Sequence, residues 1–119
     1  AFDRGYPLGF DTEVFGASSL YEADEKATDV YEREHVTPYI WRRPDRFSTK
    51  LLYGSVDHRN WRLVVDTKED YQLASAVYAA LYSANRAFGY AELRDLFKAE
   101  PELLRINAHV SQNPYVGLT

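Results

Sequence analysis

The residues of this sequence best placed to do chemistry are carboxylates at the ends of extended segments. Asp66 follows the apolar run 63–65, which is typical of a strand covered on both faces. Thr67 is a favourable helix N-cap and Asp70 lies three residues later, so the pattern predicts that a helix begins at once. Asp66 would then lie at the sheet edge where α/β proteins bind ligands. It could hold a divalent metal there, or merely bond the free N–H groups of the helix.

Two further acids could join Asp66. Asp11 and Glu13 lie in the alternating segment 10–15, and a period of two places both on the same face of a strand. Carboxylates gathered at one sheet edge suit Mg²⁺, which prefers oxygen ligands. The alternative is that Asp11 and Glu13 face solvent on an edge strand.

A second polar cluster spans residues 32–39 and contains His35. The imidazole could donate a hydrogen bond to a sugar hydroxyl or a carboxylate. The alternative is a surface helix with local ion pairs. The sequence has no His-x-x-x-His spacing, which argues against zinc. The basic cluster 42–46 could meet a phosphate or end a solvated helix, and the polar loop 57–60 has no recognised spacing.

Hydrophobic periodicity predicts the elements that position these residues. The predicted strands cover 10–15, 47–53 and 61–66. The predicted helices cover 19–27, 29–42 with a kink or restart at Pro38, 68–82, 91–99 and 101–105. Capping boxes open the first two, formed by Ser19 with Glu22 and by Asp29 with Glu32. An apolar stripe at helical spacing marks the third, made of Tyr71, Ala74, Val77, Tyr78 and Leu81, and the predicted inward residues of the fourth are Leu93, Leu96 and Phe97. Residues 1–9, 54–60 and 83–89 are predicted loops, and 106–119 an irregular tail. The order of elements predicts one α/β domain over residues 1–119, with a small mixed sheet of about three strands flanked by helices.

Composition narrows the class of protein. The 119 residues are 45% hydrophobic and carry a net charge of −4, which argues against nucleic-acid binding through a broad basic face. No apolar run approaches the length of a membrane span, and no signal peptide is visible, so the cytoplasm is the expected location. The absence of cysteine excludes disulfides and thiolate sites. Because the chain begins with Ala1 and contains no methionine, we expect a processed or truncated N-terminus.

Nucleotide-binding motifs are missing from the sequence. It contains no Gly-x-x-x-x-Gly-Lys-Ser/Thr loop, no Gly-x-Gly-x-x-Gly turn and no Gly-x-Ser-x-Gly elbow. The chain is therefore not expected to bind a nucleotide base and its phosphates unaided.

Four segments together carry a resemblance to a known family. They are Gly-Phe-Asp-Thr-Glu-Val-Phe (9–15), Glu-Arg-Glu-His-Val-Thr-Pro-Tyr-Ile (32–40), Trp-Arg-Leu-Val-Val-Asp-Thr-Lys-Glu-Asp (61–70) and Pro-Glu-Leu-Leu-Arg-Ile-Asn-Ala-His-Val (101–110). In this order they resemble the spore-coat polysaccharide biosynthesis F-type proteins, which belong with the acylneuraminate and KDO cytidylyltransferases. The resemblance covers nearly the whole chain and implies a partial Rossmann-like nucleotidyltransferase fold.

The resemblance is to the C-terminal half of such proteins. Their nucleotide loop and the acidic metal motif between the halves have no counterpart here. By resemblance, Asp66 corresponds to a metal-binding acid. The residues implied to bind substrate are Asp11 and Glu13, on a strand lining the sugar pocket, and Glu34, His35 and Tyr39 of the family motif. Lys68 replaces a usual proline and Leu8 a usual acid, so the loop before Asp11 departs from the family pattern.

The function implied by the resemblance is that of a sugar-side domain. Complete relatives join CTP to an acidic sugar with Mg²⁺ and release pyrophosphate. The chain is expected to be inactive alone, because it would supply one metal ligand and no nucleotide loop, and to form a homodimer through its helices. The rival hypothesis is a non-enzymatic interaction module that pairs through an exposed sheet edge. A sugar-binding regulatory domain without a metal is a third possibility.

Overall fold

The computed structural model describes residues 5–111 of the chain, and these residues divide into two compact units. The first unit comprises residues 5–11 and 53–111, and the second unit comprises residues 12–52. The organisation of residues 1–119 as a single domain stays a prediction. No helix within residues 5–111 has the length and apolar character needed to cross a membrane.

The second unit is built from three short helices. These are α1 (Ala17–Lys26), α2 (Val30–His35) and α3 (Pro38–Trp41). Its small core consists of Ala23, Tyr39 and Ile40, with Phe47 packed against them. The unit therefore buries the end of the 32–40 motif while leaving most of its charged residues at the surface.

The start of α1 corrects a prediction. Ser19 and Glu22 were expected to form a capping box, but α1 begins two residues earlier, at Ala17, with Gly16 as its N-cap and no side-chain cap. The Ser19 amide donates instead to the Gly16 carbonyl, at 3.0 Å. Glu22 is drawn away by a tertiary ion pair with Arg46, which outweighs the local capping preference.

The predicted helix over 29–42 is interrupted rather than kinked. Asp29 caps α2 as predicted, accepting a hydrogen bond from the Glu32 amide at 3.1 Å. Val36 then takes φ 66° and ψ −66°, and α3 restarts with Pro38 in its first turn, after Thr37. The restart at Pro38 follows because proline lacks the N–H that a continuous helix would use.

The first unit contains the longer helices, α4 (Lys68–Leu81) and α5 (Tyr90–Ala99), followed by a 3₁₀ helix (Pro101–Arg105). All three confirm predicted helices to within one residue at each end. The core of this unit is formed by the buried residues Leu73, Val77, Leu93, Leu96 and Phe97.

The buried face of α4 differs from the predicted one. Leu73 and Val77 point into the core, whereas Tyr71 and Tyr78 were expected to face inward and are exposed. Tyrosine combines an apolar ring with a polar hydroxyl, so its helical spacing alone does not determine which face is buried.

The structure does not support the predicted sheet. Within residues 5–111 the segments 10–15 and 47–53 form no strand, and 61–66 contributes only an isolated parallel bridge between Leu8 and Arg62. The bridge is made by the Leu8 amide donating to Trp61 and the Leu63 amide donating to Leu8, at 3.0 and 2.8 Å. An extended segment becomes a strand only when a neighbour pairs with it, and alternation of side chains does not supply that neighbour.

Gly9 permits the close approach at this bridge. Its φ is +106°, and a Cβ added there would lie 2.1 Å from the Leu63 carbonyl oxygen. Both the positive φ and the contact require glycine. Residues 106–111 are irregular, as predicted for the tail, whereas residues 1–4 and 112–119 of the predicted loop and tail lie outside the described residues.

Candidate functional site

Asp66 occupies the turn between the extended segment 61–65 and helix α4. The Thr67 side chain caps the helix by accepting from the Asp70 amide at 3.3 Å, and Asp70 accepts in return from the Thr67 amide at 3.1 Å. This capping box was predicted from the sequence and is confirmed. It fixes the direction in which the chain leaves Asp66 and enters the helix.

The Asp70 carboxylate is the buried centre of this turn. It is 1% exposed and accepts hydrogen bonds from Arg62 Nε and Nη2 at 2.9 and 2.8 Å and from Asn107 Nδ2 at 2.8 Å. The Asp66 and Thr67 amides complete the set at 3.1 Å each. The Arg62 hydrogen bonds, opposed by desolvation, hold the pKa of Asp70 far below its usual range. The fully bonded carboxylate acts as a structural anchor and has little remaining capacity for a ligand.

Arg62 connects this anchor to Asp66. Its Nη2 donates to Asp66 Oδ2 at 3.1 Å while also bonding Asp70, and its own side chain is 11% exposed. The Asp66 side chain is 71% exposed. The helix is capped by Thr67 and Asp70, so the capping role considered for the Asp66 side chain falls to its neighbours. Asp66 therefore presents a carboxylate at the surface from a backbone that is held in place.

The residues described supply an incomplete site for Mg²⁺. No group of three or more potential metal ligands occurs within residues 5–111. Asp66 is the accessible carboxylate of the anchored turn, and Mg²⁺ is commonly held by one or two carboxylates together with substrate phosphates. Asp66 thus fits the role of one ligand among several, and that role stays a prediction.

Asp11 and Glu13 lie in different compact units. Both residues are exposed, and the Gly9 amide donates to Asp11 Oδ2 at 3.3 Å. Because segment 10–15 is not a strand, a period of two does not place Asp11 and Glu13 on one face. Their proposed contact with substrate stays a prediction.

The 32–40 motif separates into buried and exposed residues. Glu32 is 5% exposed and accepts from Arg43 Nη1 and Nη2 at 2.8 and 3.2 Å. Tyr39 is 4% exposed, and its hydroxyl donates to Glu22 Oε1 at 3.3 Å while Arg43 lies 3.8 Å from the ring centroid. These three groups support one another inside the unit. The hydrogen bonds that Arg43 donates to Glu32 raise the pKa of Arg43, in keeping with a permanently charged pair.

Glu34 and His35 form the exposed part of the motif. The His35 Nε2 and a Glu34 carboxylate oxygen lie 3.9 Å apart, and the His35 ring packs on Tyr31 with centroids 4.5 Å apart. Of the three motif residues predicted to bind substrate, Glu34 and His35 are therefore accessible to a substrate, whereas Tyr39 is buried in the core.

A strained turn follows His35. Val36 adopts a positive φ, and the Thr37 amide donates to the His35 carbonyl two residues earlier, at 2.8 Å. This geometry is that of a γ-turn, which is unfavourable for a β-branched residue. Such strain persists only where the surroundings enforce it, and it is concentrated at functional positions. The turn fixes where His35 and Glu34 leave the helix.

The polar loop 57–60 leads into an aromatic cluster. His58 stacks on Trp61 with centroids 3.8 Å apart, and its Nδ1 lies 2.5 Å from the Tyr90 hydroxyl. Hydrogen bonds from the Arg59 side chain and amide lower the pKa of Asp57 to about 2. The cluster joins this loop to the start of α5, and no residue spacing in the sequence indicates it.

Three residues that support the site were not predicted from the sequence: Arg62, Asn107 and Glu32. Arg62 carried a usable signal, because a lone arginine directly before an apolar run must pair with an acid if it is buried. Asn107 lies 37 residues from Asp70, and nothing local indicates their contact. Glu32 looked like one charge among many in a polar cluster.

Comparison with known proteins identifies relatives that extend beyond this chain. No protein-family model matches the sequence. The chain is 31% identical over 110 residues, 91% of its length, to an uncharacterized protein of Methanocaldococcus jannaschii, of which it covers 44%. It is 36% identical over 75 residues, 60% of its length, to the spore coat polysaccharide biosynthesis protein SpsF of Bacillus subtilis, of which that region is 31%.

A solved structure also matches most of this chain and less than half of its own. A cytidylyltransferase from Leptospira borgpetersenii matches 94% of the chain with a TM-score of 0.78 and 28% sequence identity, and the match covers 44% of that protein. The chain spans less than half the length of each of these three proteins. These findings confirm the resemblance predicted from the sequence: the chain is partly homologous to the spore coat polysaccharide biosynthesis protein SpsF and structurally matches part of a cytidylyltransferase, consistent with a C-terminal part of such a protein.

Proposed function

We propose that this chain is the C-terminal, sugar-side domain of a CMP-sugar cytidylyltransferase-like protein of surface polysaccharide biosynthesis, and that it is inactive alone. The observation that carries the proposal is the structural match to a cytidylyltransferase over 94% of the chain, at a TM-score of 0.78. The homology to SpsF supports the assignment to polysaccharide biosynthesis.

The reaction of the complete protein would be transfer of CMP from CTP to an acidic sugar. A sugar hydroxyl would attack the α-phosphate, and pyrophosphate would leave. Bound Mg²⁺ would offset the negative charge on the phosphates, with Asp66 as one of its ligands. The chain itself would contribute an oriented Asp66 carboxylate, because Arg62 and the Asp70 anchor restrict the turn that carries it.

The exposed part of the 32–40 motif would meet the sugar. Glu34 can accept hydrogen bonds from sugar hydroxyls, and His35 can donate one to a hydroxyl or to the sugar carboxylate. Tyr39 would act through packing, since its ring and hydroxyl hold the unit that presents them. Asp11 and Glu13 would also contact the sugar, as the resemblance implies.

Inactivity of the isolated chain follows from the motifs that its sequence lacks. No glycine-rich phosphate loop is present in residues 1–119, and phosphoryl-type transfers depend on positioned groups around the phosphates. The proposal places the complete protein in the cytoplasm, with CTP and an acidic sugar as substrates and a homodimer as the assembly.

Release of pyrophosphate from CTP tests this function. The chain would be assayed with Mg²⁺ and several acidic sugars, alone and fused to the part of the Leptospira cytidylyltransferase that it does not match. We expect no release by the chain alone and release by the fusion, with the complete Leptospira enzyme as positive control. Turnover by the chain alone would refute inactivity, and an inactive fusion that is folded would count against the transferase assignment.

A non-enzymatic interaction module is the second candidate function. Exposed apolar residues on the first unit, notably Val65 and Tyr78, favour it. This candidate predicts a stable assembly but no sugar-dependent turnover in any fusion, so the same assay separates the two.

A further inference from the structure

An open apolar groove lies on the first unit, over the Leu73 and Val77 part of its core. Its walls come from the segment before Asp66, from α4 and from the loop before α5. The groove residues that matter here are Phe10, Val64, Val65, Ala74, Tyr78 and Phe88. We call this surface the apolar groove.

Several apolar side chains at the rim of the apolar groove are exposed to solvent. Val65 is 58% exposed and Tyr78 is 57% exposed, and the Phe10 ring is also partly open to solvent. Exposed apolar side chains around an apolar groove are compatible with an interaction site.

The groove also carries an open backbone edge. The Leu63 amide pairs with Leu8, but within residues 5–111 the backbone N–H and C=O groups of Val64 and Val65 form no hydrogen bond. Extended backbone with unused donors and acceptors is a template for an added strand.

The charges near the groove do not favour a small polar ligand. Arg62 and Asp70 line its end, but they are bonded to each other and the Asp70 carboxylate is saturated. The groove therefore offers apolar side chains and unpaired backbone groups for binding. An extended apolar polypeptide can cover the side chains and form hydrogen bonds with the backbone at the same time.

A candidate for this polypeptide is the part of the relatives that the chain does not match. The chain matches 44% of the Leptospira cytidylyltransferase, so more than half of that protein is polypeptide that accompanies the matched part. We propose that the apolar groove binds an extended segment from this remaining part of a cytidylyltransferase, which adds a strand along Val64–Val65 and covers Tyr78. This inference rests on the proposed function and names the surface through which the two parts assemble.

The test is assembly of the chain with that remaining part, co-expressed as a separate polypeptide and also fused to the chain. The groove variants are Val65→Asp and Tyr78→Glu. Their matched controls are Val14→Asp, another exposed valine outside a helix, and Tyr21→Glu, another exposed helical tyrosine, both in the second unit. Co-purification and light scattering give the stoichiometry, and hydrogen exchange of the fusion reports on the Val64 and Val65 amides.

We expect a one-to-one complex, weakened at least tenfold by each groove variant and unchanged by each control. In the fusion, the Val64 and Val65 amides should exchange at least tenfold more slowly than in the isolated chain. Equal exchange in the folded fusion and the isolated chain overturns the proposal, whether or not the separate polypeptide is soluble. A homodimer of the chain that Tyr78→Glu abolishes also overturns it, because the occupant would then be a second copy.

These readouts do not depend on turnover. Assembly without pyrophosphate release would refute the proposed function and support the groove assignment. A fusion that releases pyrophosphate while its Val64 and Val65 amides exchange rapidly would support the proposed function and refute the groove assignment.

Discussion

The guanidinium of Arg62 donates two hydrogen bonds to the carboxylate of Asp70, through Nε at 2.9 Å and Nη2 at 2.8 Å. The pair is buried, and the same guanidinium reaches the exposed carboxylate of Asp66. One arginine therefore links the core of the first unit to the surface acid on which the proposed function relies.

Removing the Arg62 side chain should lower the stability of the folded chain. Arg62→Ala leaves the buried Asp70 carboxylate without its cation, and we expect the free energy of unfolding to fall by roughly 3 kcal/mol. Arg59→Ala is the matched control, because Arg59 pairs with Asp57 at the surface and such pairs contribute about 0–1 kcal/mol. Urea unfolding of both variants measures the difference. Equal losses would show that the buried pair does not stabilise the turn.

The stability of the chain should fall in acid, in part through Asp70. Its pKa is depressed in the folded chain, so the ionised carboxylate contributes fully above its ordinary pKa of about 4. As pH falls below this value the unfolded chain takes up the proton first, and this contribution is lost toward the folded pKa. Asp70→Asn should be less stable at pH 7 and should lose less stability than the natural chain between pH 6 and 3. A parallel pH dependence in both proteins would exclude Asp70 as a source.

The capping residues of α4 and α1 should respond differently. Thr67→Ala removes a side-chain cap from α4 and should cost about 1 kcal/mol. Ser19→Ala should change stability by less than about 0.5 kcal/mol, because Ser19 does not cap α1. Thermal or urea unfolding distinguishes the two variants. A cost at Ser19 equal to that at Thr67 would restore the capping box expected from the sequence.

Gly9 should not tolerate a side chain. Gly9→Ala combines a positive φ with a contact at 2.1 Å, and we expect a loss of about 1–3 kcal/mol. Gly54→Ala is the control, since the φ of Gly54 lies outside the left-handed region and its added Cβ would have ordinary contacts of 3.4 Å. Loss of the slow exchange expected for the Leu63 amide would place the damage at the Leu8 bridge. A neutral Gly9→Ala would contradict the described geometry.

The helices of the first unit could be predicted because their signals are local. The Thr67 and Asp70 capping box lies within four residues, and the apolar spacing of α5 determines its inward face without reference to the rest of the chain. The same reasoning failed at Ser19, where Glu22 is claimed by Arg46, 24 residues away.

The extended segments could not be predicted from alternation alone. Segment 10–15 has the side-chain pattern of a strand, but its pairing depends on a neighbour that no local residue specifies. The candidate site shows the same contrast between local signals and long-range contacts. Asp66 was predicted as a site residue from its position after an apolar run, whereas Asn107 enters the Asp70 network through a long-range contact that periodicity does not encode.

Ligand binding by the isolated chain distinguishes the sugar side of a cytidylyltransferase from its nucleotide side. Amide chemical shifts would be recorded while CTP and, separately, an acidic sugar such as KDO are added with Mg²⁺, with Glu34→Gln and His35→Gln as site variants. We predict shift changes around residues 34–35 with the acidic sugar, reduced in both variants, and none with CTP. Shifts with CTP and none with the sugar would contradict the assignment of this chain to the sugar side of a cytidylyltransferase.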